Sequence, residues 1–228
     1  MMGKVTKGLS SLWSAESGLS FLLCLLTILI FIIYPASPTG MANRLGVVVY
    51  ALLLASGVTV AGGIHRWAGR TNAFLALAWI GVELLMAVRP SQAMLIAEAC
   101  VALPALFLLE ATVLVQVFSR GVINGHRIRG AVAVYLLLGL SWAWIYRLSL
   151  LLAPGAIVIA NAPGQDLLVG TQLIYFSFTT LTTVGYGDIV PVHAIVRSLA
   201  NLEALIGQLY PVILIGRLVS PGSVPNQQ

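Results

Sequence analysis

Long apolar runs alternate with short breaks rich in polar residues, glycine and proline along the whole chain. Six runs stand out: Gly18–Tyr34, Leu45–Gly63, Ala73–Val88, Ala93–Phe118, Gly130–Leu152 and Ile195–Val219. A helix needs ~20 mostly apolar residues to cross the hydrocarbon of a bilayer. Continuous runs near that length do not suit barrel strands, which alternate over ~10 residues. The breaks read as turns or interfacial loops: PASPTG before Met41, HRWAGRTN after Ile64, RPSQ after Val88 and SRGVINGHRIR after Phe118. The expected fold is all-α and integral to a membrane, with six transmembrane helices. No internal repeat is visible, which disfavours a duplicated transporter architecture. The first run has a second reading as a secretory leader, with Lys4 and Lys7 ahead of it and small residues near Ala36 behind. Its core is long for a leader, and Pro35 and Pro38 flank the cleavage position, so a retained span is expected.

Composition agrees. Of 228 residues, 59% are hydrophobic and 8% charged, with a mean hydropathy of +0.99. Soluble domains carry about 25% charged residues. These proportions exclude a soluble globular protein, a disordered chain and a basic nucleic-acid binder. With only Cys24 and Cys100, a disulfide scaffold is excluded too; both cysteines fall inside expected spans, where a thiol behaves as a small apolar group. The net charge of +5 follows from where the cations lie. With both termini cytoplasmic, the inside carries Lys4, Lys7, Arg66, Arg70, Arg120, Arg127, Arg129 and Arg217, and the outside Arg44, Arg89, Arg147 and Arg197. That excess obeys the positive-inside rule, and Trp13, Trp67, Trp142, Trp144 and Tyr34 fall near the interfaces where aromatic belts form. The basic loops, which also hold His65 and His126, suit anionic lipid headgroups as partners.

Between the fifth and sixth runs, from Pro154 through Asp166 to His193, lies the segment LIYFSFTTLTTVGYGDIVP. Leu173–Leu181 is too short to cross a bilayer, and Gly185-Tyr186-Gly187 ends it. A short helix followed by extended, glycine-containing backbone fits a re-entrant loop. Non-helical backbone survives at membrane depth only where protein buries it or where it lines a water-filled path.

The string TxxTVGYGD, Thr180 to Asp188, resembles the selectivity filter of the tetrameric potassium channel superfamily, and the likeness covers roughly Gly130–Val219. The run from Asp188 to Arg197 resembles the filter-to-inner-helix turn of bacterial two-helix channels. What the resemblance implies is specific. K+ would be held by the carbonyls of Thr183, Val184, Gly185 and Tyr186 and by the Thr183 hydroxyl. Gly185 and Gly187 would supply the left-handed backbone, which glycine adopts at no steric cost. Tyr186 would pack against Tyr175 and Phe176 of the pore helix, and an Asp188 ring at the outer mouth would concentrate cations. One filter sequence per chain implies a homotetramer, with pore-helix C-termini aimed at a central cavity that favours a cation.

On the inner helix, Gly207 matches the family's hinge glycine, and Pro211 cannot donate to the Gly207 carbonyl. A bend near this turn is expected, either as a gating hinge or as a static kink. By analogy Gln208 and Ile215 face the cavity, and Arg217 marks the cytoplasmic mouth or an interfacial anchor. The fourth run contains Glu98 and Glu110 but no Lys or Arg, whereas a voltage sensor carries 3–4 gating charges on one helix. The implied protein is a bacterial six-span channel without a standard voltage sensor.

Glu83, Glu98, Glu110 and Glu203 are the intramembrane carboxylates, expensive in hydrocarbon and therefore functional candidates. Some bacterial channels place a glutamate behind the filter where this chain has Thr179. Glu203, one turn before Gly207, is expected to replace it by bonding Thr179 or Thr180; the other three suit structural bonds between helices. His193 is either an exposed loop residue or a pH sensor at the outer mouth.

The domain reading is a four-helix part at 1–129, a pore domain at 130–219 and a short tail at 220–228. No catalytic triad, phosphate loop or metal-ligand spacing appears, so neither an enzyme nor a cofactor beyond bound K+ is expected. The function implied is passive, K+-selective conduction across a bacterial inner membrane, serving potassium homeostasis or membrane potential. Rivals are a potassium-translocating transport subunit, a weakly selective cation channel and a non-conducting membrane sensor or scaffold. The intact GYGD opposes the first, and Tyr186 opposes the second.

Overall fold

The computed structural model describes residues 18–35, 40–62, 66–119, 125–159 and 170–219. The leader question at Lys4, Lys7 and Ala36 lies outside these, as do Trp13, His65, Arg120, Asp166 and the tail at 220–228; so do the side chains of Arg44 and His126.

The first helix, α1 (Gly18–Ile33), turns Leu19, Leu22, Leu26 and Leu29 inward, a three-and-four spacing that builds one buried stripe. Its last turn widens, the Tyr34 N–H reaching back five residues to the Leu29 carbonyl at 3.0 Å. Helices α2 (Gly40–Gly62) and α3 (Arg66–Val88) follow, and α4 (Gln92–Phe118) starts where the Ser91 hydroxyl accepts the Met94 N–H. Helix α5 (Gly125–Leu152) packs along α4 and carries the pore-side elements: α6 (Gly170–Leu181) and α7 (Ala194–Val219).

Among the described residues, four helices are long and apolar enough to cross a membrane: Arg66–Val88, Gln92–Phe118, Arg127–Leu152 and Ala194–Arg217. Two shorter apolar helices, Gly18–Ile33 and Gly46–Val60, sit where the first and second spans are expected. Phe74, Leu77, Leu84 and Val88 stand exposed along α3, as a lipid-facing side requires.

Several expectations change. The fold is mostly helical, as expected, with one small unexpected element: strands β1 (Ile157–Ile159) and β2 (Ile189–Pro191) pair antiparallel. Arg66 and Arg70 begin α3, and Arg127 and Arg129 lie in the first turns of α5, so these cations extend helices and are not loop residues. Trp142 and Trp144 are buried within the protein and form no belt: Trp142 lies beside Tyr146, and Trp144 packs between Tyr50 and the Arg147 guanidinium. Trp67 alone of the described tryptophans is exposed. Gly207 and Pro211, where a bend is expected, both lie in the interior of α7.

The four-helix part packs on its own pore-side helices. The Arg129 guanidinium donates to Ser20 Oγ at 2.6 Å, Thr171 Oγ1 donates to the Tyr34 carbonyl at 3.3 Å, and the Phe31 and Phe178 rings lie 6.3 Å apart. Arg217 reaches the Phe118 carbonyl at 3.4 Å, an anchor between α7 and the end of α4.

Candidate functional site

Helix α6 has 12 residues, about 18 Å at the α-helical rise, roughly half of what a span needs. It therefore ends inside the molecule, and the chain leaves it at Leu181 as non-helical backbone. Four of the next amides turn back onto it, the first being the Thr182 N–H, which donates to the Phe178 carbonyl at 3.0 Å. The Thr183 N–H donates to the Thr180 carbonyl at 2.9 Å, and those of Val184 and Gly185 share the Thr179 carbonyl at 2.9 and 3.1 Å. The loop hangs from the end of the helix by these bonds.

Its carbonyls do the opposite. Among the described residues, no carbonyl from Thr182 to Gly187 accepts a hydrogen bond, and all six residues are exposed. Thr183, Gly185 and Gly187 have φ of 59°, 51° and 78°, whereas Val184 and Tyr186 do not enter the left-handed region. Alternating handedness turns successive peptide planes so that neighbouring carbonyls share a direction. Two of the left-handed positions are the expected glycines. Thr183 is the one that sequence reading missed: a β-branched residue rarely adopts φ > 0, and holding it there costs on the order of 1–3 kcal/mol. Its only trace in the sequence is its place two residues before Gly185, in step with the glycine alternation.

Around the loop the side chains divide. The Tyr186 ring stacks on Tyr175 at 6.3 Å with the planes 2° apart. Phe176 does not join them. It lies about 100° further round α6 and packs edge-on against Tyr146 of α5 at 4.8 Å. The Asp188 carboxyl accepts the Ile189 N–H at 3.1 Å, and its nearness raises the Tyr175 phenol above its ordinary range.

The outer end is closed by the strand pair, with Ile157, Val158 and Ile159 opposite Pro191, Val190 and Ile189. The Val192 and His193 amides add bonds to the Ala156 carbonyl at 2.9 and 3.2 Å, and Arg197 Nε caps the Pro191 carbonyl at 3.0 Å. His193 is exposed, and its Nδ1 accepts the Ile195 N–H at 3.3 Å, capping α7. Among the described residues, no hydrogen bond ties it to the loop carbonyls.

Behind the loop, Gly207 lies against the end of α6 so closely that a Cβ there would sit 1.9 Å from the Leu181 carbonyl oxygen. Close approach is thus a second reason for glycine at the expected hinge. The Tyr135 hydroxyl reaches that same carbonyl at 3.4 Å, Tyr135 stacks on Tyr210 at 6.0 Å, and the Tyr210 hydroxyl bonds the Ala131 carbonyl at 2.9 Å. Gln208 and Ile215 are exposed on α7, away from these contacts.

Glu203 is fully buried, but its partners differ from those expected. The Thr179 and Thr180 hydroxyls both turn back to the Phe176 carbonyl, at 3.0 and 2.8 Å. Glu203 instead meets Ser177 Oγ and the Tyr146 hydroxyl, each at 2.5 Å. Of the other carboxylates, Glu98 pairs with Arg147 at 2.8 and 3.2 Å, Glu110 takes the Ser141 hydroxyl at 2.5 Å, and Glu83 is half-buried near Glu98. These bonds join α4 to α5, as expected of structural pairs. Cys24 and Cys100 are free thiols on exposed helix faces.

Comparison with known proteins falls on this same region. Residues 130–221 match a family described as ion channel. A stretch of 60 residues, 26% of the chain, is 40% identical to Protein LctB of Geobacillus stearothermophilus, and it spans 44% of that protein's length. No solved structure matches. The chain is therefore mostly helical, with helices long and apolar enough to cross a membrane, and its residues 130–221 are similar to an ion-channel family.

Proposed function

We propose that the chain forms a K+-selective channel in which four copies of the 182–188 loop surround one axis. The observation that carries this reading is the loop backbone. Left-handed residues alternate at 183, 185 and 187, and their exposed carbonyls have no hydrogen-bond partner among the described residues. A K+ ion entering a narrow path must replace its water oxygens, and rings of backbone carbonyls are suited to do so. The carbonyls of Thr183, Val184, Gly185 and Tyr186 and the Thr183 hydroxyl are the ligands in this reading, with Asp188 at the outer mouth. The Tyr186–Tyr175 stack braces the loop from outside, and Gln208 and Ile215 line the cavity.

Fourfold assembly is supported by what one chain leaves uncovered. Leu202, Leu205, Leu209, Val212, Ile213 and Ile215 are all exposed on α7, and Val184 and Tyr186 on the loop. An apolar face of this kind in a membrane protein is covered by lipid or by a neighbouring subunit, and in this reading the pore-side position of α7 puts the neighbouring subunit and the cavity there. In this reading both termini lie in the cytoplasm of a bacterial inner membrane, which the excess of cations at Arg66, Arg70, Arg127 and Arg129 supports, with these cations at the anionic headgroups. Helix α4 carries no Lys or Arg, which supports a channel without a standard voltage sensor, and conduction in this reading is passive.

The test is flux from liposomes holding the purified full-length protein. A K+ gradient is expected to drive a membrane potential that an equal Na+ gradient does not. Equal responses would assign a weakly selective channel, and silence under both would assign a non-conducting membrane protein.

A further inference from the structure

We infer that Glu203 is a neutral, proton-carrying bolt that fixes the pore helix α6 to both α5 and α7 and so positions the conducting loop. The inference rests on the channel reading above for what the loop does, but not for the bolt itself.

Hydrogen counting carries it. Three short oxygen–oxygen contacts meet at this point: Tyr146 Oη to Glu203 Oε2 at 2.5 Å, Ser177 Oγ to Glu203 Oε1 at 2.5 Å, and Ser177 Oγ to the Gly139 carbonyl at 2.7 Å. Each needs one hydrogen between its oxygens. Tyr146 and Ser177 have one hydroxyl hydrogen apiece, and a carbonyl has none. Two donors cannot fill three contacts. If Glu203 were ionised, one pair of oxygens would face each other with only lone pairs between them. A proton on Oε1 completes the set: Tyr146 donates to Oε2, Oε1–H donates to Ser177, and Ser177 donates to Gly139.

The surroundings agree. Glu203 and Ser177 are both 0% exposed, and the one ion pair among the described residues is Arg147–Glu98, elsewhere on α5. From α5, Tyr146 bonds Glu203, and Tyr135 is the other titratable group in range. Helix α6 contains no charged residue. On α7, Arg197 is committed to the Pro191 carbonyl and Arg217 to the Phe118 carbonyl. An ionised carboxylate here would be buried at membrane depth with no cation, a costly arrangement.

Position gives the bolt its role. Ser177 is one turn before Leu181, and Glu203 one turn before Gly207. Glu203–Ser177 and Gly207–Leu181 are successive rungs between α7 and α6. Between them lie the Thr179 and Thr180 carbonyls from which the loop amides hang. Glu203 is thus a positioning residue for the loop, acting through α6.

Infrared spectra of the full-length protein test the proton directly. Subtracting Glu203→Gln from wild type at neutral pH is expected to leave a neutral-carboxyl carbonyl band. In Ser177→Ala, which removes the acceptor of that proton, the band moves to higher frequency. Absence of the band, or no movement, overturns the proposal. In liposomes, Glu203→Ala, which removes both hydrogen bonds of the carboxyl, is expected to lower the K+/Na+ flux ratio by about tenfold. Glu203→Gln, whose amide can donate to Ser177 and accept from Tyr146, recovers that ratio. Raising pH lowers the ratio in wild type and not in Glu203→Gln. A glutamine variant as impaired as the alanine one also overturns the bolt. Should wild type carry no flux, the channel reading fails, and the infrared assignment still decides the bolt.

Discussion

At the scale of single residues, the loop depends on contacts that leave no room for a side chain. Gly207 is the sharpest case, because its ideal Cβ would lie 1.9 Å from a backbone oxygen that cannot rotate away. Gly207→Ala must therefore push α7 from α6, and overpacking of this kind costs about 1–3 kcal/mol. Gly216, which has nothing within 4 Å of its ideal Cβ, is the matched control. Thermal unfolding of the two alanine variants in detergent is expected to show a clear loss for position 207 and almost none for 216. Thr183 is a different kind of constraint. It remains left-handed because the amides of residues 183 to 185 are held by the Thr180 and Thr179 carbonyls.

At the scale of helices, α5 receives three of the buried carboxylates: Glu98 at Arg147, Glu110 at Ser141 and Glu203 at Tyr146. The first is an ion pair with Glu98 almost fully buried. Arg147→Gln strands a buried carboxylate and is expected to destabilise the α4–α5 contact by about 3–5 kcal/mol. Adding Glu98→Gln to it should return most of that loss, read as the unfolding midpoint in detergent. If the double variant is no more stable than the single one, the pair carries no such coupling. The helices themselves were legible in the sequence, because an uninterrupted apolar run admits few other structures. Their ends were not. Arg66, Arg70, Arg127 and Arg129 look like loop residues by charge, yet a helix can run past the hydrocarbon and keep its first turns in water. The glycine alternation of the loop was legible too, and Thr183 was not, since its handedness follows from bonds to α6. The partners of Glu203 were also hidden. Spacing puts Glu203 near α6, but which α6 hydroxyl it meets depends on how α6 is rotated. Ser177 and Thr179 lie about 200° apart around a helix. The strand pair escaped for a simpler reason: three residues on each side are too few for a periodic pattern.

At the scale of the whole chain, the four-helix part lies on its own pore-side helices through Ser20–Arg129, Tyr34–Thr171 and Phe31–Phe178. Subunits assembled around an axis would then keep their peripheral helices and not exchange them. Cysteines at positions 20 and 129, in a background with Cys24 and Cys100 replaced by serine, should join through a short thiol cross-linker within one chain. The denatured product is expected at the 24.2 kDa mass of the monomer, whereas exchange between subunits would give multiples of it. The contact between Gly207 and Leu181 has one last effect on such an assembly. A helix already touching bare backbone has no travel left in that direction, so any displacement of α7 near Gly207 must begin by moving away from the end of α6. The joint works as a doorstop: it permits separation of the two helices and forbids compression.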